Sequence, residues 1–370
     1  MRLVPIGEII KVSSGSGLTA KMMAPNGKYP VYGGNGVNGH HDSYLFEEPK
    51  VIIGRVGVYC GVVHLTEPNS WITDNALYVK EFLQPVDQNY LIRALTMANL
   101  NQYANQAAQP LISGSRIYPV EIPLPPLAEQ KRIAGILDAA DKLRAKRRES
   151  IAQLDTLLQS TFLDMFGDPV TNPMGWDVVR SSELFAVPPR IGTTTPAKGK
   201  GVIVVRVGEV GGDEIVFERC GRVEINVNDF EKYKLHDGDT VIARAIGSKN
   251  QLGKASYFNG FKEPVVIDSH VMRIRPDRQK VDPSWFYSLI SSERGKLILQ
   301  RAGGATAVQF NINARQASSL EIALPPLILQ KDFAKARERM AAVYDACRLH
   351  LEQLDNLFNS LQQRAFNGTL

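Results

Sequence analysis

The sequence predicts an α+β fold: two mixed α/β domains separated by two long helices that form an antiparallel coiled coil, arranged as a pseudo-twofold internal repeat. Three observations lead to this prediction. The stretch VEIPLPPLAEQKRI at residues 120–133 returns in similar form as LEIALPPLILQKDF at residues 320–333. Each copy precedes a long run of heptad-like apolar spacing. Each also follows short β-branched runs punctuated by glycine.

The composition indicates a globular protein. Its 370 residues, 44% hydrophobic and 22% charged, can bury the cores of two or more domains. No apolar run approaches the roughly 20 residues of a membrane span, and the N-terminal stretch lacks the apolar core of a signal peptide, so we expect a cytoplasmic protein with no membrane partner. Three scattered cysteines argue against a disulfide framework, and a formal charge of +5 permits a nucleic-acid partner without requiring one.

The internal repeat keeps a fixed register. From Glu121 and Glu321 onward the offset is 321 − 121 = 200, and it persists through the later stretches QLDTLLQS and QLDNLFNS. The starts of the two halves match at a smaller offset, because Glu8 corresponds to Glu183 and 183 − 8 = 175. The difference, 200 − 175 = 25 residues, is therefore predicted to lie in the middle of the second half.

The segment before each repeated stretch is predicted to be rich in strands. The first half offers the strand candidates YPVYGGN, KVIIGRVGVYCGVVHL and NALYVKEFL, followed by a helix in QNYLIRALTMANLNQY. The second half offers VIVVRVGEV, DEIVFERC, DTVIARAIGS and SHVMRIRP, followed by a helical DPSWFYSLISSERGKLILQRA. The order of the elements corresponds between the halves, although the residues differ.

Each repeated stretch marks the passage from a sheet to a long helix. Proline cannot continue a strand ladder or lie inside a helix, so LPPL ends the sheet and its second proline suits the helix start. Apolar residues then alternate in steps of three and four over roughly 40 residues, about 60 Å of helix. Such helices need a partner, and we expect them to pair with each other; the alternative is that each packs on its own domain as an ordinary amphipathic helix. The predicted seam consists of Ile133, Ile136, Ala140, Leu143, Ile151, Leu154, Leu158, Phe333, Met340, Val343, Leu351, Leu354 and Phe358.

Local motifs do not support catalysis. The stretch GNGVNG at 34–39 satisfies G-x-G-x-x-G, but no helical pattern follows it, so dinucleotide binding is not predicted. His40, His41, Cys60 and His64 lack the two close-spaced ligand pairs of a structural zinc site. The sequence contains no G-x-x-x-x-G-K-[ST] phosphate loop and no G-x-S-x-G elbow. We therefore predict neither catalytic residues nor metal ligands.

The repeated junctions carry a family resemblance. The stretch IPLPPLAEQKRIAGILDAADKL in the first half and, in weaker form, IALPPLILQKDF in the second close two variable segments with a junction and a long heptad helix. Together with VIIGRVGVYCG, SWITDNALYV, LHDGDTVIARAIGS and LGK, this pattern resembles the specificity (S) subunit of type I restriction-modification systems over essentially the whole chain. The second junction has Leu329 where the first has Glu129, so the resemblance implies no role of that glutamate common to both junctions.

The resemblance implies a division of labour along the chain. Residues 1–118 would form target recognition domain 1, and residues 119–170 the first junction and spacer helix. Residues 171–318 would form target recognition domain 2, and residues 319–370 the second junction and spacer helix. Each recognition domain would read one half of a bipartite DNA target, and the coiled coil would set the spacer between the halves.

The resemblance also implies partners. The chain would bind double-stranded DNA and scaffold two modification (methyltransferase) subunits together with restriction/translocase subunits. S-adenosylmethionine, ATP and magnesium are expected only on those partner subunits, so this chain would be a non-catalytic specificity subunit without a cofactor of its own. The rival interpretation is a two-headed coiled-coil adaptor protein that binds non-DNA partners; a self-sufficient DNA methyltransferase would instead have to bind S-adenosylmethionine alone.

Polar and basic residues on glycine-punctuated loops are the candidates for DNA contact, because base edges need donors and acceptors and phosphates need cations. For each of them a solvated loop residue or a turn former is an equally good interpretation, and the shared register of Gln109 and Gln309 suggests a scaffold role at least as strongly. The predicted DNA-binding residues are Lys28, Tyr32, Asn35, His40, His41, Arg55, Gln106, Gln109, Arg206, Arg244, Lys249, Asn250, Gln251, Lys254, Arg301, Thr306 and Gln309.

A basic cluster lies on the first long helix, in KLRAKRRES from Lys142 to Ser150. Its simplest interpretation is the solvated face of the coil, and the alternative is a docking surface for modification subunits or a phosphate contact. Arg147 falls at a seam position and interrupts the heptad pattern.

Overall fold

The structure is a computed structural model that describes residues 1–105, 110–246, 253–302, 304–305 and 310–370. It has mixed helices and sheets, as the predicted α+β class requires. Two compact units can be distinguished by their internal contacts. The first unit comprises Met1–Arg148 and Leu349–Leu370, and the second comprises Glu149–Arg348. The two units are defined by their contacts, whereas the four segments expected from the sequence are defined by their roles. The four segments therefore stay a prediction.

The elements that precede the first junction alternate short strands and short helices. The strands are β1 Leu3–Pro5, β2 Ile10–Ser14, β3 Tyr29–Gly33, β4 Gly36–His41, β5 Val51–Gly54, β6 Val63–Leu65, β7 Trp71–Ile72, β8 Ala76–Phe82 and β9 Glu121–Pro123. The helices are α1 Ile6–Ile9, α2 Gln88–Met97 and α3 Gly114–Ile117. A four-stranded sheet has the order β2-β8-β5-β6, a three-stranded sheet the order β4-β3-β7, and β1 pairs with β9.

The second half repeats this plan. Its strands are β10 Val178–Arg180, β11 Phe185–Ile191, β12 Val202–Val205, β13 Gly221–Val223, β14 Asp239–Ala243, β15 Ala245–Ile246, β16 Ala255–Phe258, β17 Val265–Ile267, β18 Val271–Pro276, β19 Gly304–Ala305, β20 Phe310–Asn311 and β21 Glu321–Ala323. Its short helices are α5 Val227–Tyr233, α6 Pro283–Ser291, α7 Glu293–Ala302 and α8 Ala314–Ser318. The sheets have the orders β11-β18-β14-β16, β13-β12-β17, β10-β21 and β15-β20-β19.

The register of the strands confirms the internal repeat. Leu3 pairs with Pro123 in the first unit, and Val178 pairs with Ala323 in the second. These pairs reproduce both offsets, since 178 − 3 = 175 and 323 − 123 = 200. The start of each half therefore pairs with the strand that leads into its junction, an arrangement that the sequence did not reveal. One strand prediction is wrong: DEIVFERC forms no strand and contains a 3-10 helix at Phe217–Arg219, where the Phe217 ring stacks on Phe261 at 4.0 Å.

Two long helices follow the junctions, α4 at Leu127–Phe166 and α9 at Leu327–Asn367. They contain 40 and 41 residues, and each begins directly after the second proline, as predicted. In the first unit, the early part of α4 meets the late part of α9. In the second unit, the late part of α4 meets the early part of α9, where the Phe162 and Phe333 rings lie 5.4 Å apart.

Most predicted seam residues are at least partly buried. Ile133, Ala140, Phe333 and Phe358 are 0–6% exposed. Ile136, Ile151, Leu154, Leu158, Met340, Leu351 and Leu354 are of intermediate exposure.

Leu143 and Val343 depart from the predicted seam, with exposed fractions of 54% and 50%. Their positions match at the offset of 200. Between α4 and α9 of the first unit, the Arg144 guanidinium packs over the Phe358 ring, 4.3 Å from its centroid. In the first unit, the residue that packs between the two helices at this point is therefore Arg144 and not Leu143. Among the described residues, no helix combines the length and the hydropathy that a membrane span requires.

A buried glutamine holds each passage from sheet to helix. Gln130 Oε1 accepts a hydrogen bond from the Asp87 N–H at 2.9 Å, and its Nε2 donates to the Pro125 carbonyl at 2.8 Å. Gln330 does the same with Asp282 at 2.8 Å and Pro325 at 2.7 Å. Asp87 and Asp282 are the N-caps of α2 and α6. One side chain thus fixes both the proline turn and the neighbouring helix start.

A buried charge cluster joins β14 to β18 in the second unit. Asp239 is fully buried and accepts from Arg275 Nε at 2.7 Å and Nη2 at 2.8 Å. It also accepts from the His236 N–H at 2.7 Å. Arg273 lies nearby with 5% exposure, and burial lowers its pKa to about 10, an effect that the Arg275 charge reinforces and the Asp239 carboxylate opposes. The positive charges of Arg273 and Arg275 are stabilised in this cluster only while the Asp239 carboxylate is present.

Candidate nucleic-acid interface

The β3–β4 hairpin of the first unit brings together four predicted contact residues. Tyr29 pairs with His41 and Gly33 with Gly36, so GNGVNG forms the hairpin end and the start of β4 instead of a phosphate loop. Lys28 lies directly before β3 and Asn35 lies in the turn. Lys28, Asn35 and His40 are exposed and His41 is partly exposed. The hairpin therefore presents an ammonium group, an amide and two imidazoles along one short segment, which are groups able to contact phosphates and base edges.

Local contacts position the hairpin side chains. His41 Nδ1 accepts from the Ser43 N–H at 3.0 Å, and its ring lies 5.2 Å from the Trp71 ring. Trp71 in turn donates from its indole N–H to the Ser16 carbonyl at 3.1 Å. The Lys28 ammonium lies 5.4 Å from the centre of the Tyr29 ring. The imidazole of His41 is thus fixed in orientation.

Tyr32 does not belong to this exposed set, and its prediction as a DNA-contacting residue is corrected. Its side chain is 5% exposed and packs with Ile52 and Ile72. Its hydroxyl accepts from the Glu67 N–H at 3.0 Å. A tyrosine with an apolar body and a satisfied hydroxyl is a core residue, so it has no free group to offer to DNA.

Arg55 and Arg244 occupy equivalent positions, each directly after a central strand. Arg55 Nη1 donates to the Asp74 carbonyl at 3.2 Å and to Ser14 Oγ at 3.0 Å. Arg244 Nη1 donates to the Ser269 carbonyl at 2.9 Å. Its Nη2 donates to Asn311 Oδ1 at 2.8 Å, and its Nε donates to the Ile312 carbonyl at 3.3 Å. Burial lowers the pKa of Arg244. Both guanidinium groups hold neighbouring loops together and stay partly exposed, so their role as direct contacts with DNA stays a prediction.

The backbone carbonyls of Arg55 and Arg244 also bind the segment that leads back towards each junction. The Ile112 N–H donates to the Arg55 carbonyl at 2.9 Å, and the Ile312 N–H donates to the Arg244 carbonyl at 3.0 Å. The predicted residues that precede these two isoleucines, and those of the basic loop after Arg244, lie outside the described residues. They are Gln106, Gln109, Lys249, Asn250, Gln251, Thr306 and Gln309.

Three further candidates of the second unit are scattered. Arg206 is exposed and donates from Nη2 to Glu209 Oε1 at 3.2 Å, next to a 3-10 helix. Lys254 is half-buried beside the start of β16. Arg301 is exposed in the last turn of α7. The described residues of this unit therefore do not form a compact set like the hairpin of the first unit.

The basic cluster on α4 is partly engaged within the protein. Arg144 Nε and Arg148 Nη2 both contact Asp355 Oδ1, at 2.6 Å and 3.2 Å. Arg93, which the sequence analysis did not single out, contacts Asp138 at 3.0 Å and lies 5.5 Å from the Phe358 ring centre. The i,i+3 spacing of Asp141 and Arg144 is visible in the sequence. The tertiary partners are not, since Asp355 lies more than two hundred residues from Arg144 and Arg148, and Asp138 lies 45 residues from Arg93.

His64 gives the first unit a testable dependence on pH. Burial lowers its pKa below the usual value of 6.5, and its Nε2 is buried with no hydrogen-bond partner among the described residues. The unfolded chain therefore binds the proton more readily than the folded chain. Protonation of His64 leaves the free energy of unfolding unaffected above pH 6.5 and lowers it as the pH falls below that value.

The free energy of unfolding of the native protein is expected to drop when the pH changes from mildly alkaline to mildly acidic. We expect this drop to be smaller in His64→Leu, as measured by urea titration at both pH values. The exposed His40→Leu serves as the matched control and leaves that loss unchanged. An identical pH dependence in native protein and His64→Leu contradicts the assignment.

Comparisons with known proteins confirm the family resemblance. Residues 1–154 match the family model described as the type I restriction modification DNA specificity domain. The type I restriction enzyme EcoprrI specificity subunit of Escherichia coli is 30% identical over 142 residues, which cover 37% of this chain and 35% of that protein. The putative MjaX specificity subunit of Methanocaldococcus jannaschii is 26% identical over 52% of this chain and 46% of its own length. The StySPI specificity subunit of Salmonella potsdam is 22% identical over 85% of this chain and 68% of its own length. The chain thus spans less than half of the first two of these relatives.

Solved structures show the same fold. The S subunit of a type I restriction-modification system from M. genitalium superposes with a TM-score of 0.64 at 17% identity, covering 99% of this chain and 96% of that chain. A chain from a structure on complex assembly and conformational transition of the type I system gives a TM-score of 0.57 at 16% identity, covering 100% and 98%. At these identities the likeness establishes the fold alone.

Proposed function

We propose that this chain is the DNA sequence-recognition subunit of a type I restriction-modification complex. The observation that carries the proposal is the duplicated scaffold. The same four-stranded and three-stranded sheets occur twice, each closed by the same glutamine-held junction and a long helix. The match of residues 1–154 to a DNA specificity domain supports this proposal. Two similar scaffolds with different surface residues suit the recognition of two different half-sites.

The proposal assigns four segments. Residues 1–118 and 171–318 are the two target recognition domains, and residues 119–170 and 319–370 are the junctions with their spacer helices. The helices form an antiparallel coiled coil that sets the gap between the half-sites. Support comes from the contacts found in each unit, Arg144 with Asp355 in the first and Phe162 with Phe333 in the second.

The proposal also assigns the partners. The chain binds double-stranded DNA and scaffolds two methyltransferase subunits and the restriction/translocase subunits, in the cytoplasm. S-adenosylmethionine, ATP and magnesium act on those partners, and this chain contributes recognition without catalysis. In the first domain, Lys28, Asn35, His40 and His41 are the proposed contacts, because all four lie on one hairpin and are exposed or partly exposed.

Exchange of residues 1–118 for the matching segment of a relative tests the two-reader proposal. We expect only one half of the methylated target to change, because the second domain and both helices are untouched. Methylome sequencing of cells that carry the exchanged chain and the partner subunits measures the result. A target that stays unchanged in both halves refutes the proposal.

Lengthening the helices tests the spacer. A heptad inserted after Glu149 in α4 and another after the equivalent Leu349 in α9 add about 10 Å, or about three base pairs of B-DNA, while keeping the apolar register. The gap in the methylated target is expected to grow by that amount with both half-sites unchanged. An insertion of five residues at the same places rotates the apolar residues that follow by about 140° around the helix, so it is the control and should abolish methylation.

The adaptor interpretation makes the opposite prediction about salt. Contacts to phosphates release counterions, so the affinity of the assembled complex for its DNA must fall steeply as salt rises. A gel shift across a salt series, with the methyltransferase partner present, measures this slope. Affinity that is flat in salt and indifferent to sequence favours the two-headed adaptor.

A further inference from the structure

The two units can be compared position by position where α2 or α6 packs against the long helices. The N-caps Asp87 and Asp282 both bind a junction glutamine, so α2 matches α6 with the offset 282 − 87 = 195. The rings agree with this register. Tyr90 lies 5.6 Å from Phe366, and Trp285, its equivalent, lies 6.0 Å from Phe166. The helices α4 and α9 match with the offset of 200 found in the sequence.

In the first unit, arginines of the chain itself fill the space beside these helices. Arg144 Nε contacts Asp355 Oδ1 at 2.6 Å, and Arg93 Nη2 contacts Asp138 Oδ1 at 3.0 Å. Both guanidinium groups pack on the Phe358 ring, with distances to its centre of 4.3 Å and 5.5 Å. Each cation is thus held by a carboxylate and an aromatic face, the two groups that favour a desolvated guanidinium.

In the second unit, the equivalent space is open. At these offsets, Tyr344 corresponds to Arg144, Ser288 to Arg93 and Leu158 to Phe358. Asp155 corresponds to Asp355, so the aspartate is present in both units. These four residues line a cavity of about 510 Å³, and a second cavity of about 560 Å³ shares Asp155, Leu158 and Tyr344 with it. Each cavity has the size of a binding pocket, roughly 300–1,000 Å³. We call the two connected cavities the α4–α9 groove.

The retained aspartate has lost its cation. In the part of the chain that the structure describes, no ion pair to Asp155 falls within 4.0 Å, whereas Asp355 is contacted by two arginines. Burial raises the pKa of Asp155, and the charge of Asp213 raises it further. Asp155 is exposed to solvent and has the like charge of Asp213 nearby, so a cation that enters the groove relieves the repulsion between two carboxylates.

Five cations among the described residues line the groove. In the first cavity, Arg294 and Lys296 pair with Asp168 and Glu293, and Lys254 is half-buried. Arg337 donates from Nη1 to Ser284 Oγ at 3.2 Å, lies 3.5 Å from Asp213 and packs over the Tyr287 ring at 4.8 Å. Arg348 lines the second cavity but is exposed. The walls of that cavity carry five acidic and two basic side chains, together with the stacked Phe217 and Phe261 rings. The first cavity carries three side chains of each sign, so the acidic excess belongs to the second cavity, whose carboxylates and aromatic walls are complementary to a guanidinium group.

We propose that the α4–α9 groove of the second unit is a docking site for an arginine side chain supplied by a partner protein, which pairs with Asp155 beside Tyr344 as Arg144 pairs with Asp355 in the first unit. The first unit supplies its own arginine and is closed at this place. The two ends of the duplicated scaffold therefore differ in what they accept. This inference is independent of the proposed DNA recognition, since it concerns the helices and not the hairpin.

The test titrates the full chain with N-acetyl-arginine amide at low ionic strength, followed by the NMR signals of 13C-labelled tyrosine. We expect the Tyr344 signal to shift with a dissociation constant in the millimolar range, and the uncharged N-acetyl-citrulline amide to leave it unmoved. Asp155→Asn should weaken binding about tenfold or more, because a charged hydrogen bond is lost. The matched control is Asp355→Asn in the first unit, which should leave arginine binding unchanged.

A second variant fills the groove with an arginine side chain of the chain itself. Tyr344→Arg restores the arrangement of the first unit, and we expect it to raise the melting temperature by about 2–4 °C and to abolish binding of the arginine probe. Binding is then followed with a 19F label on the probe, because the tyrosine reporter is gone. The proposal is overturned if the citrulline probe binds as well as the arginine probe, if Asp155→Asn binds unchanged, or if the native chain does not respond.

Discussion

Gln330→Leu is expected to lower the free energy of unfolding by about 2–6 kcal/mol, since it leaves two buried backbone groups without partners and each costs about 1–3 kcal/mol. The groups are the Asp282 N–H and the Pro325 carbonyl, which the glutamine amide now satisfies at 2.8 Å and 2.7 Å. Leucine fills a similar volume, so the loss reports the hydrogen bonds and not a cavity. Urea unfolding followed by circular dichroism measures it.

Two companions sharpen this prediction. Lys331→Leu, at the next and exposed position, is the control and should change the free energy of unfolding by less than about 0.5 kcal/mol. Gln130→Leu should repeat the large loss in the first unit, because Gln130 makes the same two hydrogen bonds. If Gln330→Leu cost no more than its exposed neighbour, the junction would owe its geometry to the prolines alone.

Asp239→Ala is expected to lower the free energy of unfolding by about 3–5 kcal/mol, the usual result of removing one partner of a buried ion pair. The variant leaves the Arg275 guanidinium without its bidentate carboxylate, and it removes the nearest negative charge from the buried Arg273. Chemical denaturation measures the loss.

The chain offers a closely matched control two residues earlier. Asp237 also pairs with an arginine, Arg278, at 2.6 Å, but the two side chains are 56% and 59% exposed. Asp237→Ala should therefore cost no more than about 1 kcal/mol. Equal losses in the two variants would show that the burial of Asp239 does not govern the strength of its pair.

The sequence predicted the repeat and the helices because both are local or periodic signals. The junction prolines define where α4 and α9 begin, and the apolar spacing extends to their ends. The same periodicity placed Leu143 and Val343 in the seam, but both are exposed. At Leu143 the reason is that heptad spacing does not account for the neighbouring Arg144 guanidinium, which packs on the Phe358 ring. An arginine with a long apolar stem can take a seam position that residue class alone assigns to leucine.

The contact residues were harder to predict than the scaffold. Tyr32 carries a group suited to DNA contact, and only its tertiary partners show that it is a core residue. Arg55 binds a backbone carbonyl but stays partly exposed and remains a prediction. Lys28, Asn35 and His40 remain exposed on the hairpin and stay predictions. Burial depends on which distant segments pack together, as when the Glu67 N–H meets the Tyr32 hydroxyl, and a single sequence does not contain that information.

The pairing of β1 with β9, and of β10 with β21, has a consequence for how such a chain can change. In each unit the polypeptide enters and leaves the variable segment on two adjacent antiparallel strands. A segment with neighbouring ends behaves as a cassette: its interior can be lengthened or exchanged without displacing the helix that follows. The 25-residue difference between the halves is an instance of this tolerance. Under the proposed function, the DNA sequence that is read can therefore change by substitution of a whole cassette while the rest of the chain remains the same.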